Sequence, residues 1–320
     1  MKIAYTGQMD PRAFKDVLGA AIVELLENDP DAIYLDADLM SCIGTREYAK
    51  RHPDRAIQCG VAEANMIGVA SGLAAEGFKP IVHSFGTFAS RRCFDQAFLS
   101  AGYAGNDITI IGSDPGICAT FNGGTHMPFE DMALYRALPA ATVLDITDTA
   151  MLESVLPQCL DRPGVKYLRL GRKNAVKVYE AGSHLPVGKA VTLREGGDLT
   201  IAACGIMVGE AMLAAFMLDQ EGIHATVLDM FTVKPLDVST LERYAEKTGA
   251  VVTAENHNRV GGLYAAVTEA LMCSCLVPVE YVAVEDEFGE VGPLDYLKER
   301  FDLTARHIVR KAHRVLTRKN

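Results

Sequence analysis

Apolar and polar positions along the chain follow one repeating order: a short unbroken apolar run, a turn, then a longer stretch with helical spacing. The unbroken runs are Ala32-Ile-Tyr-Leu-Asp-Ala37, Pro80-Ile-Val-His83, Ile108-Thr-Ile-Ile-Gly112, Thr142-Val-Leu144 and Lys166-Tyr-Leu-Arg-Leu170. Helix-period stretches cover residues 13–28, 62–76, 91–103, 129–136 and 150–160. Continuous apolar strands alternating with helices predict a parallel sheet covered on both faces. Such sheets bind ligands beyond the carboxyl ends of their strands. A turn-rich interval follows at residues 173–197, and a second series of strands then begins. It comprises Leu199-Thr-Ile-Ala-Ala-Cys-Gly205, Ala225-Thr-Val-Leu-Asp-Met230, Ala250-Val-Val-Thr-Ala254 and Val279-Glu-Tyr-Val-Ala-Val284. The pattern predicts an α/β chain of two doubly wound domains, residues 1–183 and 184–320, with no internal repeat.

Composition narrows the function class. A length of 320 residues suits two cores, and 49% apolar with only 7% aromatic content suits small-residue helix packing. The net charge of −10 argues against a nucleic-acid surface. The basic run at the end (Lys298, Arg300, Arg306, Arg310, Lys311, Arg314, Arg318, Lys319) reads as a solvated helix end. The eight cysteines lack the spacing of a zinc site and read as reduced core thiols. The opening Met1-Lys-Ile-Ala-Tyr5 has no signal-peptide core, and no apolar run is long enough to span a membrane, so the expectation is a cytoplasmic protein.

Three blocks carry candidate chemistry. In residues 60–74, Glu63 precedes Met66, Ile67, Ala70, Leu73 and Ala74, spaced as a buried helical face. The only charges between Arg55 and Lys79 are Glu63 and Glu76, so the helix is expected to be mostly buried, with Glu76 at its exposed end. Glu63 lies in the first turn, where the helix dipole favours a carboxylate, and a buried carboxylate calls for a specific partner. A capping carboxylate facing water is the alternative. In the second block, Phe85 and Phe88 stand at the carboxyl end of a strand, where an aromatic face can stack on a flat heterocycle or simply pack in the core. In the third, a strand feeds a glycine-rich loop holding His126, followed by a helix opened by Pro128 with Glu130 and Asp131 in its first turn. A histidine there can exchange protons near neutral pH.

Together these blocks resemble the transketolase family of thiamine-diphosphate enzymes. Gly60-Val-Ala-Glu63-Ala-Asn-Met66 is similar to the segment carrying the family's pyrimidine-binding glutamate. Ser84-Phe-Gly-Thr-Phe88 with Phe94-Asp-Gln96, and Gly123-Gly-Thr-His126 with Glu130-Asp-Met-Ala-Leu134, resemble the motifs that follow it. Asp36-Ala-Asp38-Leu39, Leu170-Gly-Arg172-Lys-Asn174 and Glu255-Asn-His-Asn-Arg-Val-Gly-Gly262 extend the likeness, in order, over almost the whole chain. The family holds the cofactor's diphosphate through a metal with a Gly-Asp-Gly motif, and no Gly-Asp-Gly occurs here. The resemblance therefore implies the pyrimidine-binding and C-terminal domains of a split transketolase. A partner subunit would hold the diphosphate and a Mg2+ or Ca2+ ion, this chain would supply no metal ligand, and an α2β2 heterotetramer is the expected assembly.

The same resemblance implies site roles. Glu63 would bind N1′ of the aminopyrimidine, and Phe88 would stack on that ring with Phe85 beside it. Phe94 would complete the cofactor pocket, and Asp38 would line the same pocket or the subunit contact. His126 would contact the donor sugar, and Arg172 would grip the acceptor's phosphate, with Asn122, Ser113 and Arg91 also in the substrate region. At the sugar end the chain departs from the family. Thr120-Phe-Asn-Gly123 replaces Gly-Glu-Asp-Gly, Ser113 or Asp114 stands where a phosphate-proximal histidine is usual, and Cys42 replaces a serine. Arg12 or Lys15 would supply a further phosphate contact, and Arg91 holds a position that is often aromatic or small. The implied reaction is transfer of a two-carbon ketol unit between a ketose and an aldose, on non-standard anionic sugars. Rival readings are the β subunit of a 2-oxo-acid dehydrogenase E1 component, a deoxyxylulose-phosphate-synthase-like enzyme, and a non-catalytic regulatory subunit.

Overall fold

A computed structural model describes residues 2–319. The strands are β1 (Ala32–Asp36), β2 (Ala56–Gln58), β3 (Lys79–Phe85), β4 (Ile108–Ser113), β5 (Thr142–Asp145), β6 (Val165–Leu170), β7 (Val191–Arg194), β8 (Leu199–Ala203), β9 (Ala225–Asp229), β10 (Thr232–Lys234), β11 (Val251–Asn258) and β12 (Val279–Val284). They form a seven-stranded sheet, ordered β10-β5-β6-β4-β3-β1-β2, and a five-stranded sheet, ordered β12-β11-β8-β9-β7. Each is parallel except at one edge, where β10 and β7 run antiparallel to their neighbours. The α/β expectation of two mostly parallel sheets therefore holds.

Alternation along the central strands explains why both faces are covered. Ile81, Ile111, Leu144 and Leu168 pack with the helices Phe14–Asn28 and Thr149–Leu160. Their chain neighbours Val82, Ile110, Val143 and Tyr167 face the other way, toward Met66, Ile67 and Ala70 of the helix Glu63–Ala75. Successive side chains of a strand point to opposite faces, so an unbroken apolar run serves two helical layers at once.

Several local expectations need correction. Residues 91–103 do not form one helix. A short helix, Gly86–Ser90, passes into a tight turn at Arg91–Cys93 and ends in a π-helical stretch, Ala97–Tyr103. The strands β2, β7 and β10 escape the apolar pattern: β2 and β10 hold only three residues, and β7 alternates buried with half-buried positions. β10 is the more consequential miss, because it lies beyond residue 183 yet closes the edge of the first sheet against β5. Lys234 Nζ there donates to the carbonyls of Arg136 and Leu138 at 2.8 and 2.6 Å, at the end of the helix Asp131–Ala137. The helix Glu63–Ala75 is buried on one side only; Asn65, Gly68 and Val69 lie exposed on the other. Of the cysteines, Cys93, Cys159 and Cys204 are core thiols, whereas Cys273 is exposed. In the C-terminal helix Ala305–Leu316, Ile308, Val309, Ala312 and Val315 face inward, and Lys311, Arg314 and Arg318 converge on Glu280. Among the described residues no helix is long and apolar enough to cross a membrane.

Candidate active site

The carboxyl ends of β1, β3 and β4 lie side by side, and the candidate residues gather around them. Glu63 opens its helix and is 1% exposed. Its two carboxylate oxygens accept from a single nitrogen, Arg92 Nη1, at 3.1 and 2.9 Å, and Ser84 Oγ of β3 donates at 3.4 Å. Burial would make an isolated carboxylate costly; the guanidinium and the helix N-terminus offset that cost. The break after Ser90 puts Arg92 there, since the tight turn sends Cys93 inward and leaves both arginines outside. Arg92 Cζ also lies 4.0 Å from the centroid of the Phe88 ring.

A continuous line of contacts runs outward from Phe88. His126 meets the Phe88 ring edge-on at 5.1 Å and the Phe85 ring at 6.0 Å. The Phe85 ring in turn lies 4.7 Å from Arg172 Cζ. Arg172 is bound to Asp114 at 2.5 Å, beside Lys173, whose Nζ donates to Thr120 Oγ1 at 3.4 Å. Asp114 is 4% exposed, and burial raises its carboxyl above the usual range although Arg172 pulls the other way. Arg91 flanks the line, with Nε 2.9 Å from Glu130 and a bond from Nη2 to the Thr125 carbonyl at 3.4 Å.

The loop carrying His126 is held from the second domain. Asn256, on β11, accepts from Ile117 N at 3.0 Å and donates to Pro115 O at 2.9 Å. Asn258 N donates to Phe129 O at 2.9 Å. Gly116, at φ +49°, must be glycine because a Cβ there would meet the Asn256 side chain. Gly124 must be small because the backbone of Gly289 occupies the space a Cβ would need. Beneath the loop Arg169 is fully buried, donating to Asp131 at 3.0 Å, Asp145 at 3.2 Å and Asn256 O at 3.0 Å. Glu255 caps the helix Leu263–Met272 through the amides of Leu263 and Tyr264 at 2.6 and 2.8 Å, and burial pushes its carboxyl up to about 7.

Glu63, Phe88, Phe85, His126, Arg172 and Arg91 thus come together; five other sequence candidates do not. Ser113 is fully buried, its hydroxyl 3.1 Å from His83 Nε2, while His83 Nδ1 lies 2.9 Å from Asp36; it supports the floor and has no open face for a substrate. Phe94 packs edge-on against Phe98 and Tyr135. Asp38 is exposed, its amide donating to Gln58, and Asn122 is exposed on the loop. Arg12 is already taken up by Asp10, Glu153 and Thr149. Sequence reasoning missed Arg92, whose only signal is the Arg91-Arg92 doublet, and His83, a polar residue inside an apolar run.

Residues 10–177 match the family description "Transketolase, pyrimidine binding domain", and residues 188–308 match "Transketolase, C-terminal domain". The chain belongs to the transketolase family. It is 50% identical over 313 residues to the 6-deoxy-6-sulfo-D-fructose transketolase subunit SqwH of Clostridium sp. (strain MSTE9), covering 98% of this chain and 97% of that one. It is 34% identical to an apulose-4-phosphate transketolase subunit of Phocaeicola vulgatus, covering 86% of this chain and 87% of that one. A solved split gene transketolase, described as an inactive beta4 tetramer, superposes with TM-score 0.90 at 38% identity, over 96% of this chain and 99% of that one. The transketolase reading, a ketol-transferring enzyme working through a partner subunit, therefore stands over the dehydrogenase and regulatory alternatives.

Within this transketolase subunit the residues around Glu63 suit the aminopyrimidine of thiamine diphosphate. The test is Arg92, a flat group whose N–H reaches Glu63 while its carbon centre lies over Phe88. A carboxylate acceptor at the edge and an aromatic face beside it are the features a planar, ring-nitrogen heterocycle requires.

Proposed function

We propose that this chain, divided near residue 183, is the C-terminal subunit of a split transketolase that moves a two-carbon ketol unit from a sulfonated or otherwise anionic ketose to an aldose. The observation that carries the reading is the buried Glu63 carboxylate beside Phe88, engaged by a planar N–H donor. Glu63, Phe88 and Phe85 would hold the pyrimidine end of thiamine diphosphate, which would supply the carbon nucleophile that ketol transfer needs. Glu63 would hydrogen-bond the ring-nitrogen edge of the pyrimidine, as it now bonds the Arg92 N–H. Phe88 and Phe85 would fix the ring plane and exclude water. His126, standing over both phenylalanines, donates to the sugar oxygens next to the reacting carbon. Arg172 holds the charged end of the sugar, with Arg91 and Asn122 on the rim and Ser113 as a buried support. The relative SqwH, named for a sulfonated fructose, supports that choice of donor.

The partner holds the diphosphate and a Mg2+ or Ca2+ ion, the assembly is an α2β2 heterotetramer, and its place is the cytoplasm. A relative described as an inactive beta4 tetramer, and the open face of the helix Glu63–Ala75, both support a partner. The test is ketol transfer by the chain reconstituted with an N-terminal subunit carrying Gly-Asp-Gly. Glu63→Ala is expected to lower kcat at least a hundredfold; full activity in that variant, or turnover by the wild-type chain alone, overturns the reading.

A further inference from the structure

The ion pair between Arg172 and Asp114 has a consequence for the charge of the substrate. Three arginines line the site, and each is paired with a carboxylate: Arg91 with Glu130, Arg92 with Glu63, and Arg172 with Asp114; Arg12, outside it, is held by Asp10 and Glu153. Lys173 has no carboxylate among the described residues and rests on the Thr120 hydroxyl. At the sugar end, Arg172, Lys173 and Asp114 therefore sum to one positive charge.

Asp114 cannot turn away to relieve a crowded anion. It is 4% exposed, its backbone sits at φ +57°, and its amide is bonded to Leu170 O at 3.0 Å. Arg172 remains partly open, with 26% of its side chain exposed and its guanidinium beside Phe85. An incoming anion can meet the open edge of that fork, but it does so with a fixed carboxylate on the other edge. A second negative charge on the anion gains little from the paired guanidinium and is repelled by Asp114 at short range in a half-buried site.

We infer that Asp114 is a specificity-determining residue that sets this site for a sugar ending in a monoanion, such as a sulfonate, against one ending in a dianionic phosphate. The inference rests on the assignment of Arg172 to the anionic end of the substrate. A sulfonate carries one charge at every physiological pH, whereas a phosphate monoester, with a second pKa near 6, carries close to two at pH 7.5. The two groups are otherwise alike in shape and in their three acceptor oxygens, so charge is the discriminating variable.

The experiment measures kcat/KM of the reconstituted complex at pH 7.5 for 6-deoxy-6-sulfofructose, fructose 6-phosphate and uncharged fructose, with wild type, Asp114→Asn and Asp114→His. Wild type is expected to favour the sulfonate over the phosphate by about tenfold or more, ~1.4 kcal/mol per tenfold. Both variants are expected to shift that ratio toward the phosphate by about tenfold, with the change residing in KM. Equal wild-type efficiency with both anions, or a ratio that neither variant moves, overturns the inference. If the variants fail to assemble, wild-type inhibition decides: methanesulfonate competing more strongly than inorganic phosphate supports it, and the reverse order overturns it. Transfer from none of the three sugars would instead refute the functional reading beneath it, and the inference with that reading.

Discussion

Arg92 spans Glu63 and Phe88: one of its nitrogens lies within 3.1 Å of both Glu63 oxygens while its Cζ stands 4.0 Å from the Phe88 ring centroid. Any group that hydrogen-bonds Glu63 from above Phe88 must displace it. Arg92→Ala is therefore expected to lower the Tm of the isolated chain by roughly 1–3 °C, through loss of a charge-assisted bond to a buried carboxylate. The same variant should lower the KM for thiamine diphosphate in the reconstituted enzyme. A rise in that KM would show that Arg92 helps to hold the cofactor.

Gly124 and Gly289 pack backbone to backbone, and this contact sets the height of the turn Gly124–His126. Gly124→Ala adds a methyl with nowhere to go, at a cost of about 1–3 kcal/mol. Because His126 is two residues away, kcat/KM for the donor sugar should fall by about tenfold to a hundredfold. Kinetics on a variant shown by circular dichroism to be folded would check this; unchanged kinetics would mean that the loop position does not matter.

Arg169 neutralises two carboxylates, Asp131 and Asp145, in a place without water access. Arg169→Leu is expected to destabilise the chain by about 3–5 kcal/mol in urea unfolding, because two buried charges lose their partner. Adding Asp145→Asn should restore part of that loss.

Asp229 accepts from Thr147 Oγ1 at 2.7 Å and Tyr179 OH at 2.8 Å, and burial pushes its carboxyl up to about 7. A folded-state pKa above the unfolded value gives stability that is present below pH ~4 and is lost as pH rises through about 7. Asp229→Asn keeps both bonds without a titrating proton. The variant should therefore gain in Tm relative to wild type on going from pH 5.5 to pH 8, and thermal melts across that range would show it. A difference that stays constant with pH would mean that Asp229 does not titrate there.

Much of the fold is legible in the sequence because each central strand is a continuous apolar run and each helix has a strong period. What escaped had a local cause. β2 and β10 are too short to show a pattern, β7 is only alternately buried, and the break at Ser90–Cys93 hides within residues that read as one helix. Glu63, Phe85, Phe88, His126 and Arg172 were each visible as motif residues, yet nothing in the chain order pairs Arg92 with Glu63 or Asp114 with Arg172, since 29 and 58 residues separate them. Ser113 misled for the opposite reason. Its place at the end of β4 suggested the mouth of the site, but alternation turns its hydroxyl down onto His83.

By itself the sequence determined the α/β layering, the family and the candidate site residues, because periodicity and motif order are local properties of the chain. Tertiary structure alone decided which charges cancel. Whether Glu63 is bare or bridged, whether Arg172 offers a full charge or a shared one, and where the His126 loop stands all depend on contacts between residues far apart in the chain. Electrostatic energy follows distance and burial in space, and neither is written in residue spacing.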